Sequence, residues 1–315
     1  MRYNRLGRTA LTVSELSFGA APLGSVYGVF AEQEGIDAVH AALDHGINFF
    51  DVSPYYGATT AETALGRALR GVDRDHYLLA TKVGRYGAAE FDFSAERVKG
   101  SVTESLDRLG TDHLDLIQCH DIEFGSLDRI VEETVPALRE LQQEGLVRYV
   151  GITGYPLPVL GYVAARTPVD SVLSYCRHTL HDRRLAGWKN RFATYGTGVI
   201  NASPLAMGAL TARGAPDWHP GSAELHERCA AAAELCRAAG VDLAKLALQF
   251  SVSTTHAATT LVGTHEPDEV RRNVAWVAEP MDRELLIRVE ACLEPVRDRG
   301  WTSGRAALRA KRGRA

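Results

Sequence analysis

The stretch LDLIQCHDIEFGSLDRIVEETVPALRELQQEGLVRYVGIT, residues 114–153, decides the fold. It opens on an apolar run, 114–120, that ends in His120, and it closes on a second run, 147–153. Between them the spacing predicts a helix. Ile130, Val131, Val135, Leu138 and Leu141 share one face, while Glu132, Glu133, Arg139, Glu140 and Gln143 take the other. Gly145 supplies the stop, because glycine accepts the left-handed conformation that ends a helix. The next strand starts at once. A strand, a covering helix and a strand joined by short loops imply two parallel neighbours in one sheet.

The same unit recurs on both sides. Strand-like runs over 16–19, 47–51, 77–82, 171–174, 198–202 and 259–262 bring the strand count to eight, and helical patterns cover 32–45, 95–109 and 223–239. Open doubly wound sheets usually stop at five or six strands and carry a GxGxxG turn, which is missing here. The expectation is therefore a closed (β/α)8 TIM barrel of the α/β class, with extra C-terminal helices. Residues 3–13, turning at Gly7-Arg8, predict a hairpin under its lower end. No linker interrupts the 315 residues, so they read as one domain. Residues 297–315 hold six Arg and one Lys with little apolar material beyond Trp301, so about 296–315 reads as a partly ordered, solvated basic tail.

Bulk properties narrow the function. A net charge of −4 gives no basic field for nucleic acid. No apolar run reaches the roughly 20 residues of a bilayer span, and the arginines at 2, 5 and 8 precede no signal-like apolar core. Cys119, Cys176, Cys229, Cys236 and Cys292 are an odd, dispersed set without metal spacing, which suits reduced thiols in the cytoplasm. No metal is expected. The chain reads as a monomer or homodimer handling a small molecule.

In such barrels the site sits at the C-terminal ends of the strands. Three successive runs end in Asp51, Lys82 and His120, and Tyr55 and Tyr56 follow Asp51 closely. Taken singly, each reads equally well as a helix cap, a solvated lysine or a core histidine. Together they make a proton-transfer set. A lysine beside a phenol favours the phenolate, an aspartate holds that lysine, and Tyr56 could then exchange a proton with an alcohol. Hydride would have to come from a cofactor, since no side chain donates it.

These residues carry a resemblance. FFDVSPYYG at 49–57, ATK at 80–82, QCHDIE at 118–123, GIT at 151–153, ASPLAMG at 202–208 and LVGT at 261–264 with Asn273 resemble the ordered signature blocks of the aldo-keto reductases. GRY at 84–86, FDFSAER at 91–97, LSYC at 173–176 and the late Trp301 with Ser303-Gly304 are similar to the L-galactose dehydrogenase branch of that family. The resemblance implies Tyr56, Asp51, Lys82 and His120 as catalytic residues. It also implies oxidation of an aldose such as L-galactose or L-fucose at C1 to the lactone, with hydride passing to NAD. The alternatives are a general NADPH-dependent aldehyde or ketone reductase, and a cofactor-binding subunit without turnover.

By the same resemblance Thr153, Ser174, Ser203, Leu205, Gly263, Thr264, Glu269 and Asn273 would hold the cofactor. Ser203-Pro204-Leu205 reads equally as a plain turn. Thr153-Gly154 and Ser174 depart from the Ser-Asn and Gln that many members use at the carboxamide. A Glu269 carboxylate about 5 Å from a phosphate would oppose it by roughly 3 kcal/mol at an effective dielectric near 20, favouring NAD over NADP. If Glu269 faces water instead, Arg271 or Arg272 could meet a phosphate. Tyr27, Tyr55 and His120 are the expected sugar contacts.

Overall fold

The computed structural model describes residues 1–25, 28 and 30–305. Tyr27, an expected sugar contact, and residues 306–315 of the basic tail lie outside the described residues.

Two antiparallel strands, β1 (Tyr3–Arg5) and β2 (Thr12–Ser14), form the expected hairpin. Eight parallel strands follow: β3 (Leu16–Gly19), β4 (Phe49–Asp51), β5 (Leu78–Val83), β6 (Leu114–Cys119), β7 (Val147–Gly154), β8 (Ser171–Tyr175), β9 (Gly198–Ala202) and β10 (Thr259–Val262). They close into one barrel in sequence order, with β10 pairing back onto β3. Each expected strand is present, its ends displaced by at most two residues. His120 falls one residue beyond β6, at the rim.

Side-chain alternation along the strands explains where polarity can sit. Phe49, Ala80, Leu116, Leu173, Ile200 and Leu261 point inward, where they pack with Leu6, Leu11 and Val13 of the hairpin into one buried cluster. The hairpin thus plugs the bottom. Gly7 allows this close docking, since a Cβ there would lie 2.3 Å from the Gly198 nitrogen. Two residues further along their strands, on the same face, come Asp51, Lys82 and Gln118. With the interior filled by apolar groups, these polar side chains are left at the upper mouth.

The helices cover the outside. Helix Ala95–Leu109 starts at Ser94, whose hydroxyl accepts from the Arg97 amide, and stops at Gly110 in a left-handed turn. The expected helix over 130–144 is divided. Ile130–Thr134 is a π turn and Val135–Gln143 is α-helical. Pro136 has no N–H to donate back into the preceding turn, and the wider i→i+5 pattern accommodates it. Helices Ala223–Ala238 and Arg283–Leu293 pack together in a second apolar cluster beside the barrel. No helix among the described residues is long and apolar enough to cross a membrane.

Part of the basic C-terminal segment is tied to the mouth. Asp298 donates its amide to the His181 carbonyl, the Trp301 amide donates to the Tyr155 hydroxyl at 3.1 Å, and Ser303 donates to Glu123 at 2.8 Å. The Trp301 ring stacks on Tyr155 at 4.6 Å. Through residue 305 this segment forms a strap held to the mouth.

Candidate active site

The loops above the barrel carry unusual backbone. Ala58 and Thr59 after β4, Asp121 after β6, Cys176 after β8, and Ser203, Ala206 and Met207 after β9 all have positive φ without being glycine. Such conformations cost free energy and gather where surrounding structure holds a site in shape.

At this end β4 delivers Asp51 and β5 delivers Lys82. The Lys82 ammonium donates to Asp51 Oδ1 at 2.5 Å and to the Val52 carbonyl at 2.8 Å. Gln118 Nε2 donates to the other carboxylate oxygen, Oδ2, at 2.7 Å. The lysine side chain is 1% exposed and the aspartate 5%, so the pair is desolvated yet almost fully bonded. Burial pulls the Lys82 pKa down, but Asp51 and Tyr56 outweigh it and the net direction is upward. Lys82 stays charged.

Tyr56 stands over this pair, with the ammonium 4.9 Å from its ring centre. The His120 ring meets the Tyr56 ring edge-on at 5.6 Å. The four expected catalytic residues therefore come together at one side of the mouth. The phenol departs from expectation in one respect. Burial raises the Tyr56 pKa above the ordinary 10, and Lys82, which pulls it down by charge and hydrogen bond, offsets only part of this. The resting tyrosine is a phenol.

His120 is held by Ser53, whose Oγ lies 2.9 Å from Nδ1 and also accepts the Tyr55 amide at 3.1 Å. Burial first, then the charges of Lys82 and Arg85, push the His120 pKa well below its usual value, so the ring is neutral. Ser53 and Gln118 escaped the sequence reading. Ser53 sits inside the FFDVSPYYG block, but nothing along the chain tells that its hydroxyl meets a histidine 67 positions later. Gln118 carried a faint signal, as an amide interrupting an apolar strand two residues before His120.

Among the substrate candidates, Tyr55 lies beside the tetrad, its ring 5.9 Å from both Tyr56 and His120.

The expected cofactor residues follow round the same rim. Thr153 in β7 is buried, and its hydroxyl accepts the Asp121 amide at 3.0 Å. Ser174 in β8 is fully buried, and its Oγ has no hydrogen-bond partner. An orphaned hydroxyl of this kind suits a carboxamide. Ser203 and Leu205 follow β9. Gly263 and Thr264 follow β10, where a Cβ on residue 263 would come within 2.6 Å of the Gly19 carbonyl. Helix Pro267–Ala278 begins next, with Asp268 and Glu269 in its first turn. Glu269 lies 3.6 Å from Arg272, and Arg271 is paired with Asp268 at 2.5 Å. Asn273, 3% exposed, and Thr264, 4% exposed, border the same small gap with Leu16 and Phe18 of β3. The described residues contain no group of three metal-ligating side chains, and all five cysteines are free thiols.

Comparison with known proteins extends this picture. The chain is 50% identical over 308 residues to the L-galactose dehydrogenase of Arabidopsis thaliana, covering 95% of this chain and 96% of that protein. It is 38% identical over 259 residues to the D-arabinose 1-dehydrogenase of Saccharomyces cerevisiae, covering 77% and 76%. Among solved structures, an aldo-keto reductase of Bacillus halodurans in its holo form superposes with a TM-score of 0.77 at 29% identity, covering 96% of this chain and 98% of that one. The sequence profile of the Aldo/keto reductase family matches residues 15–294, nearly the whole barrel. The chain belongs to the aldo/keto reductase family and is an oxidoreductase acting on CH–OH groups with a nicotinamide cofactor.

Proposed function

We propose that this protein is an aldose 1-dehydrogenase that oxidises L-galactose, or a sugar of related stereochemistry such as L-fucose, at C1 to the lactone with NAD⁺. The meeting of Tyr56, Lys82 and His120 at one rim carries the reading, on a chain half identical to an L-galactose dehydrogenase. When bound, the nicotinamide supplies the hydride acceptor that side chains lack.

In this reading Tyr56 takes the proton of the C1 hydroxyl. Lys82 stabilises the phenolate, while Asp51 and Gln118 hold Lys82 in position. With Nδ1 engaged by Ser53, the Nε2 of the neutral His120 ring is left to bond the substrate oxygen. Because burial keeps the resting Tyr56 protonated, oxidation draws on a small phenolate fraction and accelerates as pH rises.

NAD is favoured over NADP for electrostatic reasons. Asp268 and Glu269 open the helix after β10, and Arg271 and Arg272 are engaged with them. A 2′-phosphate would face two carboxylates and no uncommitted guanidinium of that helix. Free thiols and an ordinary acidic charge balance fit the cytoplasm.

Steady-state rates with NAD⁺ and a panel of aldoses test the assignment. Turnover of L-galactose or L-fucose is expected, and NADP⁺ should be poorer by a factor of about 100. Brisk NADPH-dependent reduction of simple aldehydes with no sugar oxidation would overturn it.

A further inference from the structure

Next to the tetrad lies an ion pair that the proton transfer does not use. Asp121 follows His120 with φ 51, a left-handed conformation that Asp tolerates better than most residues. Its carboxylate Oδ2 lies 3.8 Å from His120 Nε2, the ring nitrogen that Ser53 leaves for substrate. Arg85, just past β5, donates to the same Oδ2. The Arg85 guanidinium sits 3.7 Å from the Tyr55 ring centre, with the Phe91 and Phe124 rings at 5.4 and 5.8 Å. The pair is largely desolvated, with side-chain exposures of 17% for Arg85 and 5% for Asp121. Arg85 Nε is buried and has no hydrogen-bond partner.

This arrangement works against the reaction in one respect, because the Asp121 charge raises the Tyr56 pKa. It also withholds a buried cation and anion from water, which is costly unless further bonds form. A ligand rich in hydroxyls supplies such bonds.

We propose that Asp121 and Arg85 form the polyol-recognition subsite, the carboxylate accepting from and the guanidinium donating to the hydroxyl on the carbon next to the reacting one. The inference rests on the aldose reading above and names what selects the sugar within it. A charged acceptor bonds a hydroxyl more strongly than a neutral one does. A subsite built around such groups also rejects an analogue that leaves them unpaired. Asp121 is thus a specificity residue, while chemistry stays with the tetrad.

The test compares kcat/KM for L-galactose and 2-deoxy-L-galactose with NAD⁺. The parent enzyme should prefer the full sugar by about 100-fold or more. Asp121→Asn should shrink that ratio by about tenfold, chiefly by slowing the full sugar, with the Kd for NADH unchanged. It should also bring the rise of 2-deoxy sugar oxidation to lower pH, since an anion near Tyr56 is gone. Arg85→Gln should shrink the ratio in the same direction, and it carries the test should Asp121→Asn fail to fold. A parent ratio near one, or a ratio untouched by either variant, overturns the inference while leaving the aldose assignment standing. A parent enzyme that oxidises no aldose overturns both.

Discussion

Two buried carboxylates at the same barrel mouth are treated in opposite ways. Asp51 has both oxygens engaged, one by Lys82 and the other by Gln118. Glu123 uses one oxygen to accept from the Tyr155 amide and the Ser303 hydroxyl, and its Oε2 is buried without a partner. Burial, together with the nearby Asp121 charge, pushes the Glu123 pKa up to about 7. The difference lies in the company and not in the depth. A carboxylate in the reaction corner has a cation beside it and a donor on each oxygen, whereas the one roofed by the strap has no cation and holds its proton close to neutral pH.

The largest effect expected from disturbing this contrast is at Lys82. In Lys82→Met the Asp51 carboxyl group remains buried without its cation, so the protein should lose about 3–5 kcal/mol of stability. Turnover should fall by about two to four orders of magnitude with it. Chemical unfolding and steady-state kinetics check the two losses separately.

Glu123→Gln acts in the other direction. A carboxyl group whose pKa is raised on folding adds stability below about pH 4.5 that is lost as pH rises through about 7. The amide should therefore stabilise the protein at pH 8 by an amount on the order of 3 kcal/mol and remove that loss. His178 and His181, pushed down to about 4 by burial first, contribute oppositely. Their stabilisation is present above about pH 6.5 and is lost as pH falls toward 4. The parent protein should thus show opposed slopes across the acid range, and Glu123→Gln should lessen the fall on the side that approaches pH 8. Thermal unfolding from pH 4 to 8 reads both.

A smaller effect is expected at Trp301. Half-buried, it stacks on Tyr155 and meets His219 edge-on at 5.2 Å. Trp301→Ala should cost about 2 kcal/mol, less than a fully buried tryptophan would. By loosening the roof it should also bring the Glu123 titration back toward the ordinary carboxylate range, which the pH dependence of unfolding measures.

The barrel and the tetrad were legible because both rest on periodicity. Apolar runs stop at Asp51, Lys82 and His120, and a strand that ends on a polar residue delivers it to the rim. The sequence reading failed where contacts are long-range. The composition of 297–315 suggests a partly ordered, solvated tail, and it does not tell that Trp301 and Ser303 reach Tyr155 and Glu123, 146 and 180 positions away. Lys82 was expected to bring the phenol toward neutrality, and only the depth of burial reveals that desolvation outweighs the ammonium.

The central claim is that a phenol held over a buried ammonium exchanges the substrate proton. Tyr56→Phe removes one hydroxyl and keeps the ring against His120. The decisive measurement is kcat for L-galactose oxidation by this variant, beside its Kd for NADH by fluorescence titration. The account predicts a fall of about a thousandfold in kcat with the Kd unchanged. A kcat within about tenfold of the parent would contradict it.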